Sequence, residues 1–72
     1  MKKIAINIFH NGINYTSNYS ECDEKKELSI DTLLEKVAGG ETKFFSFESG
    51  NKVYYFPEKV LSESIMSMVY AD

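Results

Sequence analysis

An Asn-Gly pair near the amino-terminal end constrains the fold of this chain more than any other feature. Asn11-Gly12 follows a segment in which isoleucines alternate with polar or small residues. Alternating apolar residues beside an Asn-Gly pair are the strongest short-range signal of a β-hairpin with a type I′ turn. The sequence therefore predicts a β-hairpin over residues 3–19.

A two-residue turn also determines which residues face each other across this hairpin. The predicted pairs are His10 with Ile13, Ile8 with Tyr15 and Ile6 with Ser17. Side chains on a strand alternate between two faces, so this register collects most of the apolar side chains on one face. They are Ile4, Ile6, Ile8, Ile13, Tyr15 and Tyr19. We expect this face to line the core.

A second hairpin is predicted from residues 42–48 and 52–56, the most apolar part of the chain. With Gly50-Asn51 as its turn, each face carries several large apolar side chains. One face has Phe45, Phe47, Tyr54 and Phe56, and the other has Phe44, Val53 and Tyr55. A longer turn would change the cross-strand partners, but both faces would stay largely apolar.

One helix is predicted between the two hairpins, after a polar surface connection over residues 20–27. Ser29 is a suitable N-cap residue, and Asp31 in the first turn is favoured by the helix dipole. The helix is expected to end at Ala38, because Gly39-Gly40 can adopt the left-handed conformation of a C-cap.

The segment that follows Pro57 fits two structures. Its apolar residues match a helix that starts at Pro57, but residues 64–70 also alternate as a strand does. Three serines and a β-branched residue weaken a helix in this segment. A short turn over residues 57–61 followed by a strand is therefore favoured.

Together these elements predict an α+β fold. We expect an antiparallel sheet of four or five strands in the order β-β-α-β-β, followed by a strand or short helix, with one helix on one face of the sheet. A chain of 72 residues is near the lower limit for a hydrophobic core that has no disulfide or metal, so one small domain over residues 1–72 is expected.

Composition argues against several classes of function. The net charge is −3 and the chain has no arginine, which disfavours direct binding of nucleic acid because arginine is the usual reader of guanine and the usual phosphate clamp. Cys22 is the only cysteine, so neither an internal disulfide nor a zinc site is expected. The amino-terminal segment alternates where a signal peptide has a continuous apolar run, and no stretch approaches the roughly 20 apolar residues of a membrane span. We expect a cytoplasmic protein without cofactor or metal.

The residues that could carry catalysis lack suitable neighbours. His10 is the only histidine, and its predicted neighbours Phe9, Asn11 and Ile13 cannot orient an imidazole for proton transfer. Cys22 lies among carboxylates, which disfavour the reactive thiolate. We therefore expect no catalytic residue and a non-enzymatic protein.

An acidic run occupies the segment between the first hairpin and the helix. Its members are Glu21, Asp23, Glu24 and Glu27, and Asp31 and Glu35 extend the same acidic side along the helix. The spacing does not match a calcium-binding EF-hand, because Lys25-Lys26 interrupts the run. The run is either a solvated loop or a surface that imitates DNA phosphates and faces a basic groove of a partner.

The second hairpin has more apolar surface than the rest of the chain can cover. One short helix and a brief tail would have to cover its seven large apolar side chains as well as the isoleucine face of the first hairpin. An uncovered apolar face usually marks a contact with a partner or with a second copy. The side chains expected to make that contact, or a homodimer contact, are Phe44, Tyr54, Tyr55 and Phe56.

Residues 44–60 resemble the arrangement of strand, turn, strand and Pro-acid-Lys found in small phage and prophage proteins. The resemblance covers about a quarter of the chain and includes no functional motif. Our hypothesis is an inhibitor from a phage or mobile element, of the anti-defence or anti-CRISPR type, that binds and blocks a host enzyme or effector complex. The alternative is a small homo-oligomer that sequesters a nucleotide-like ligand between its protomers.

Overall fold

The strands and helices of this chain form an α+β fold, which confirms the predicted class. The computed structural model describes residues 2–72. In chain order the elements are β1 (Lys3–His10), β2 (Ile13–Thr16), β3 (Ser20–Glu21), α1 (Glu24–Ala38), β4 (Phe44–Ser49), β5 (Lys52–Pro57), α2 (Glu58–Ser62) and β6 (Ile65–Ala71). All strand pairs are antiparallel, but the strands divide into a four-stranded sheet and a separate β4–β5 hairpin.

The first hairpin forms as the Asn-Gly turn predicts. Asn11 and Gly12 have φ angles of 52° and 80°, as a type I′ turn requires at both central positions. His10 pairs with Ile13 in the observed register, and Ile8 pairs with Tyr15. β1 is the central strand of the four-stranded sheet, because β2 and β3 lie along one of its edges and β6 lies along the other.

The second hairpin also has the predicted register and turn. Ser49 pairs with Lys52 across Gly50-Asn51, and Gly50 takes the positive φ angle, 61°, that a tight turn needs there. Asn18 attaches this hairpin to the first one. Its backbone N–H donates to the carbonyl oxygen of Glu48 at 2.9 Å, and its side-chain oxygen accepts from the Gly50 N–H at 2.8 Å.

The core lies between the isoleucine face of β1 and the elements that cover it. Ile4 and Ile8 are fully buried, and Tyr15 packs edge-on against Tyr54 and Phe56, with ring centroids 5.2 and 5.6 Å apart. The buried residues of the core cluster are Ile4, Ile6, Ile8, Ile30, Val37, Phe45, Phe56 and Leu61. This arrangement corrects one expectation. Ile13 and Tyr19 are exposed, because they lie next to the turn and beyond the end of β2.

The helix begins earlier than predicted. Asp23 is the N-cap, and its carboxylate accepts a hydrogen bond from the Lys26 N–H at 2.7 Å. Ser29, the expected N-cap, lies inside the helix. The cause is a stronger start signal upstream, since Asp23 is followed by acidic residues in the first helical turn that favour the positive end of the helix dipole. The predicted surface connection also contains the short strand β3, which pairs with β1.

The carboxyl-terminal segment adopts the favoured alternative, a short turn followed by a strand. The one-turn helix α2 leads into β6, which pairs with β1 from Lys3 opposite Ala71 to Phe9 opposite Ile65. Among residues 2–72 neither helix has both the length and the apolar character needed to cross a membrane.

The observed N-cap can be tested by substitution. We expect Asp23→Ala to lower the free energy of unfolding by about 1 kcal/mol, because the N–H at the start of α1 loses its acceptor. Asp23→Asn keeps a side-chain oxygen and should recover most of that loss. Ser29→Ala, the matched control, should change the free energy by less than about 0.5 kcal/mol. Urea unfolding followed by circular dichroism measures all three, and a larger loss for Ser29→Ala would contradict this helix start.

Candidate functional site

The outer face of the second hairpin exposes three large apolar side chains, Phe44, Val53 and Tyr55. They are 54%, 48% and 66% exposed. The rings of Phe44 and Tyr55 stack with their centroids 5.9 Å apart and their planes 14° from parallel. We call these three residues the aromatic face. Its three side chains form an exposed apolar surface on one side of the hairpin.

The alternation of β4 and β5 explains why only one side of this hairpin is buried. The inner side packs on the isoleucines of β1, with Phe45 and Phe56 buried and Phe47 and Tyr54 partly buried. The sequence predicted this division into two faces but not which face meets the core. Phe56 is 4% exposed, so it has almost no surface to offer a partner, and Tyr54 offers only part of its ring.

His10 lines a small hollow beside the aromatic face. The hollow has a volume of about 280 Å³ and its walls are His10, Tyr15, Tyr54, Tyr55, Phe56 and Val60. Its lining contains no thiol or carboxylate. Cys22 is half-buried and lies at the other end of β1, where its N–H donates to the carbonyl oxygen of Lys2 at 3.0 Å. Lys2 and His10 are eight residues apart in extended chain, about 26 Å, so His10 and Cys22 cannot act on one substrate atom.

The predicted acidic residues separate into two groups. Glu21 is exposed on β3, and Asp23 is occupied as the N-cap of α1. Glu24, Asp31 and Glu35 are spaced by seven and four residues, so they lie on one stripe of α1. The stripe runs beside a groove between α1 and β6, which was not predicted.

This groove is a further candidate site. Its volume is about 510 Å³, and we call it the α1–β6 groove. Its lining residues are Asp31, Leu34, Glu35, Ala38, Ser64, Ile65, Met66, Ser67 and Met68. The groove therefore has an apolar floor and an acidic rim, and it shares no residue with the aromatic face.

Tyr70 fastens β6 to α1 near the groove. Its hydroxyl donates to Glu27 Oε2 at 2.5 Å, and Lys2 Nζ lies 4.4 Å from the centre of its ring. The hydrogen bond to Glu27, together with burial and the negative charges of Glu27 and Asp31, raises the pKa of Tyr70 to about 12. The Glu27 carboxylate is consequently held toward β6.

No metal centre is visible in the described part of the chain. Residues 2–72 contain no group of three His, Cys, Asp or Glu side chains placed to hold a metal ion. Every buried side-chain nitrogen or oxygen among these residues has a hydrogen-bond partner.

Comparisons with protein-family models, with curated proteins and with solved structures find no match to this chain.

The contact between Tyr70 and Glu27 predicts a late-titrating tyrosine. Because folding raises the pKa of Tyr70 from 10.0 to about 12, its protonated hydroxyl contributes its full stabilisation below about pH 10 and loses it as the pH rises through about 12. Glu27→Gln should return the pKa toward the ordinary value. Tyrosinate absorbance during alkaline titration measures this pKa. If the titration step near pH 12 disappears in Tyr70→Phe, that late step belongs to Tyr70.

Glu24→Gln is the matched control for this titration, because Glu24 is on the same helix and makes no hydrogen bond to Tyr70. We expect it to leave the late step largely in place. If Tyr70 titrated at its ordinary value in the unmodified protein, or if Glu27→Gln and Glu24→Gln had equal effects, the hydrogen bond would not be the cause of the raised pKa.

Proposed function

We propose that this chain is a non-enzymatic interaction protein that binds a protein partner through the aromatic face. In its specific form, the proposal is a cytoplasmic inhibitor from a phage or mobile element that occupies a working surface of a host enzyme or effector complex. The observation that supports it best is the exposed stack of Phe44 and Tyr55 beside Val53. Contiguous apolar patches of this kind are typical of docking surfaces.

The stacked rings suit a docking role because they are already ordered. A tyrosine or phenylalanine ring has few rotamers to lose on binding, and the stack restricts them further. The hairpin presents both rings on the same face, so little conformational entropy is lost when a partner covers them. The same surface could join two copies of the chain, so a homodimer remains part of the proposal.

The acidic residues supply the charge part of the proposed contact. Glu21 and Glu24 are exposed near the start of α1, and Asp31 and Glu35 rim the α1–β6 groove. In an inhibitor these carboxylates would face a basic groove of the host enzyme and compete there with phosphates. Such charges mainly raise the rate of association and its dependence on salt.

The aromatic face can be tested with matched serine variants. We expect a tagged wild-type chain to form a stoichiometric complex, with itself or with a host protein, that Phe44→Ser/Tyr55→Ser weakens by at least about tenfold. Leu28→Ser is the control, because Leu28 is 66% exposed, as Tyr55 is, but lies on α1. Light scattering and affinity capture measure the complexes, and inhibition is then assayed on the captured enzyme.

Two outcomes would contradict this function. A chain that stays monomeric and captures no host protein would remove the docking role. A complex that survives Phe44→Ser/Tyr55→Ser but is lost with Leu28→Ser would place the contact on another surface. Alanine at both His10 and Cys22 should leave inhibition unchanged, and an activity lost with them in a folded protein would show an enzyme.

A small-ligand oligomer is the second candidate, and the hollow beside His10 favours it. Aromatic walls and an imidazole could stack on a nucleotide base, but about 280 Å³ is below the usual size of a ligand pocket. A second protomer would have to complete it. A melting temperature raised by cyclic nucleotides, and no longer raised in His10→Ala, would favour this candidate.

A further inference from the structure

The outer edge of β6 is an open strand edge. β6 pairs with β1 over seven residue pairs. Within residues 2–72 no other strand pairs with it. A strand at the edge of a sheet presents unpaired N–H and C=O groups to any extended chain that approaches.

The hydrogen bonds of β1 identify which groups of β6 face outward. Ile6 accepts from the Ser17 N–H at 2.9 Å and donates its own N–H to Ser17 Oγ at 2.9 Å, so even-numbered residues of β1 bond toward β2. Odd-numbered residues of β1 therefore bond toward β6, because bonding direction alternates along a strand. Their partners in β6 are Ile65, Ser67, Val69 and Ala71. The N–H and C=O groups of Met66, Met68 and Tyr70 are left at the outer edge.

The sequence of β6 itself lacks the features that usually protect edge strands. Ile65–Ala71 contains no charged residue, no proline and no glycine. Natural edge strands are commonly shortened, bulged or given a lysine that prevents pairing with another chain. At seven residues β6 is also longer than an average strand. The edge is therefore available for β-strand addition.

The α1–β6 groove provides the space for such a strand and selects its charge. Leu34 and Ala38 of α1 line the groove on one side and Met66 and Met68 of β6 on the other, and Asp31 and Glu35 add two carboxylates to its lining. No lysine lines it. A strand placed here would turn every second side chain toward α1, where it meets two carboxylates.

We propose that β6 accepts an extended segment of a partner protein in which two basic residues alternate with other residues, Lys/Arg-x-Lys/Arg. Such residues are about 6.6 Å apart on a strand, and Asp31 and Glu35 are about 6 Å apart along the helix axis. Each basic side chain can thus meet one carboxylate while the backbone bonds to β6. This contact deepens the proposed function by naming the chemistry of the partner, and it uses a different surface from the aromatic face.

The charge of the rim disfavours a second copy as the occupant. Antiparallel pairing of two β6 strands around a two-fold axis would bring Asp31 and Glu35 of both copies to the same side of the joined sheet. Each copy has a net charge of −3, so the carboxylates would repel one another. A basic segment would instead be attracted to the carboxylates of Asp31 and Glu35.

The proposal can be tested with two synthetic peptides on the isotopically labelled full chain. One peptide of about eight residues alternates threonine with lysine, and its matched control replaces every lysine with glutamate. At saturation with the lysine peptide we expect amide exchange, measured by NMR, to slow by about tenfold at Met66, Met68 and Tyr70. Ser67 and Val69, already bonded to β1, should change little. The glutamate peptide should protect none of these amides.

A charge reversal on the rim distinguishes binding in the α1–β6 groove from general electrostatic attraction of a basic peptide to an acidic protein. Glu35→Lys should weaken binding of the lysine peptide by at least about fivefold, whereas Glu41→Lys, which reverses an exposed charge outside the groove, should weaken it less. Equal protection by both peptides, protection only outside β6, or no binding at millimolar peptide would overturn the proposal. A dimer that protects the same three amides without peptide would show that a second copy is the occupant.

The aromatic face is tested independently of this groove. Phe44→Ser/Tyr55→Ser should bind the lysine peptide as the wild-type chain does. Failure of the peptide to bind therefore leaves the aromatic-face complex standing, and loss of that complex in the serine variant leaves strand addition to β6 standing.

Discussion

The rest of the structure depends on β1, which bonds to other strands along both of its edges and supplies the buried isoleucines on one of its faces. β2 and β3 bond to one edge, β6 bonds to the other, and the fully buried Ile4 and Ile8 anchor the core on one face. The only cysteine is free, so no disulfide supports this core. In so short a chain, cover over these isoleucines has to come from α1, α2 and the second hairpin. Where each covering element lies then determines which surfaces stay open.

The face of the four-stranded sheet opposite the buried isoleucines is partly polar. Asn7 donates its amide N–H to Asn14 at 3.0 Å and accepts from the Thr16 hydroxyl at 2.7 Å. Ser67, which pairs with Asn7 from β6, is also polar, so this part of the face can contact water at little cost. The covering elements can therefore all lie on the isoleucine face.

Local features of the sequence determined what could be predicted. The turns at Asn11-Gly12 and Gly50-Asn51 fix the registers of both hairpins, because the turn and its flanking strands are neighbours in the chain.

The helix start could not be decided locally, since Asp23 and Ser29 are both good N-caps. Likewise, two apolar faces of one hairpin are equivalent until a partner layer is known, so Phe56 was expected at the surface. The open edge of β6 depends on pairing with β1 from the far end of the chain, and its only sequence signal is the uncharged run 64–71.

The aromatic face has a composition that folding does not require. Ser46 and Glu48 point to the same outer side of the second hairpin as Phe44 and Tyr55, so that side tolerates polar residues. Exposed rings there bury little area within the chain, and polar replacements would lower the risk of aggregation. The same reasoning applies to β6, where a lysine at the open edge would prevent unwanted pairing without disturbing the bonds to β1. The exposed rings of the aromatic face and the unprotected edge of β6 are therefore the two features for which we propose contact with another molecule.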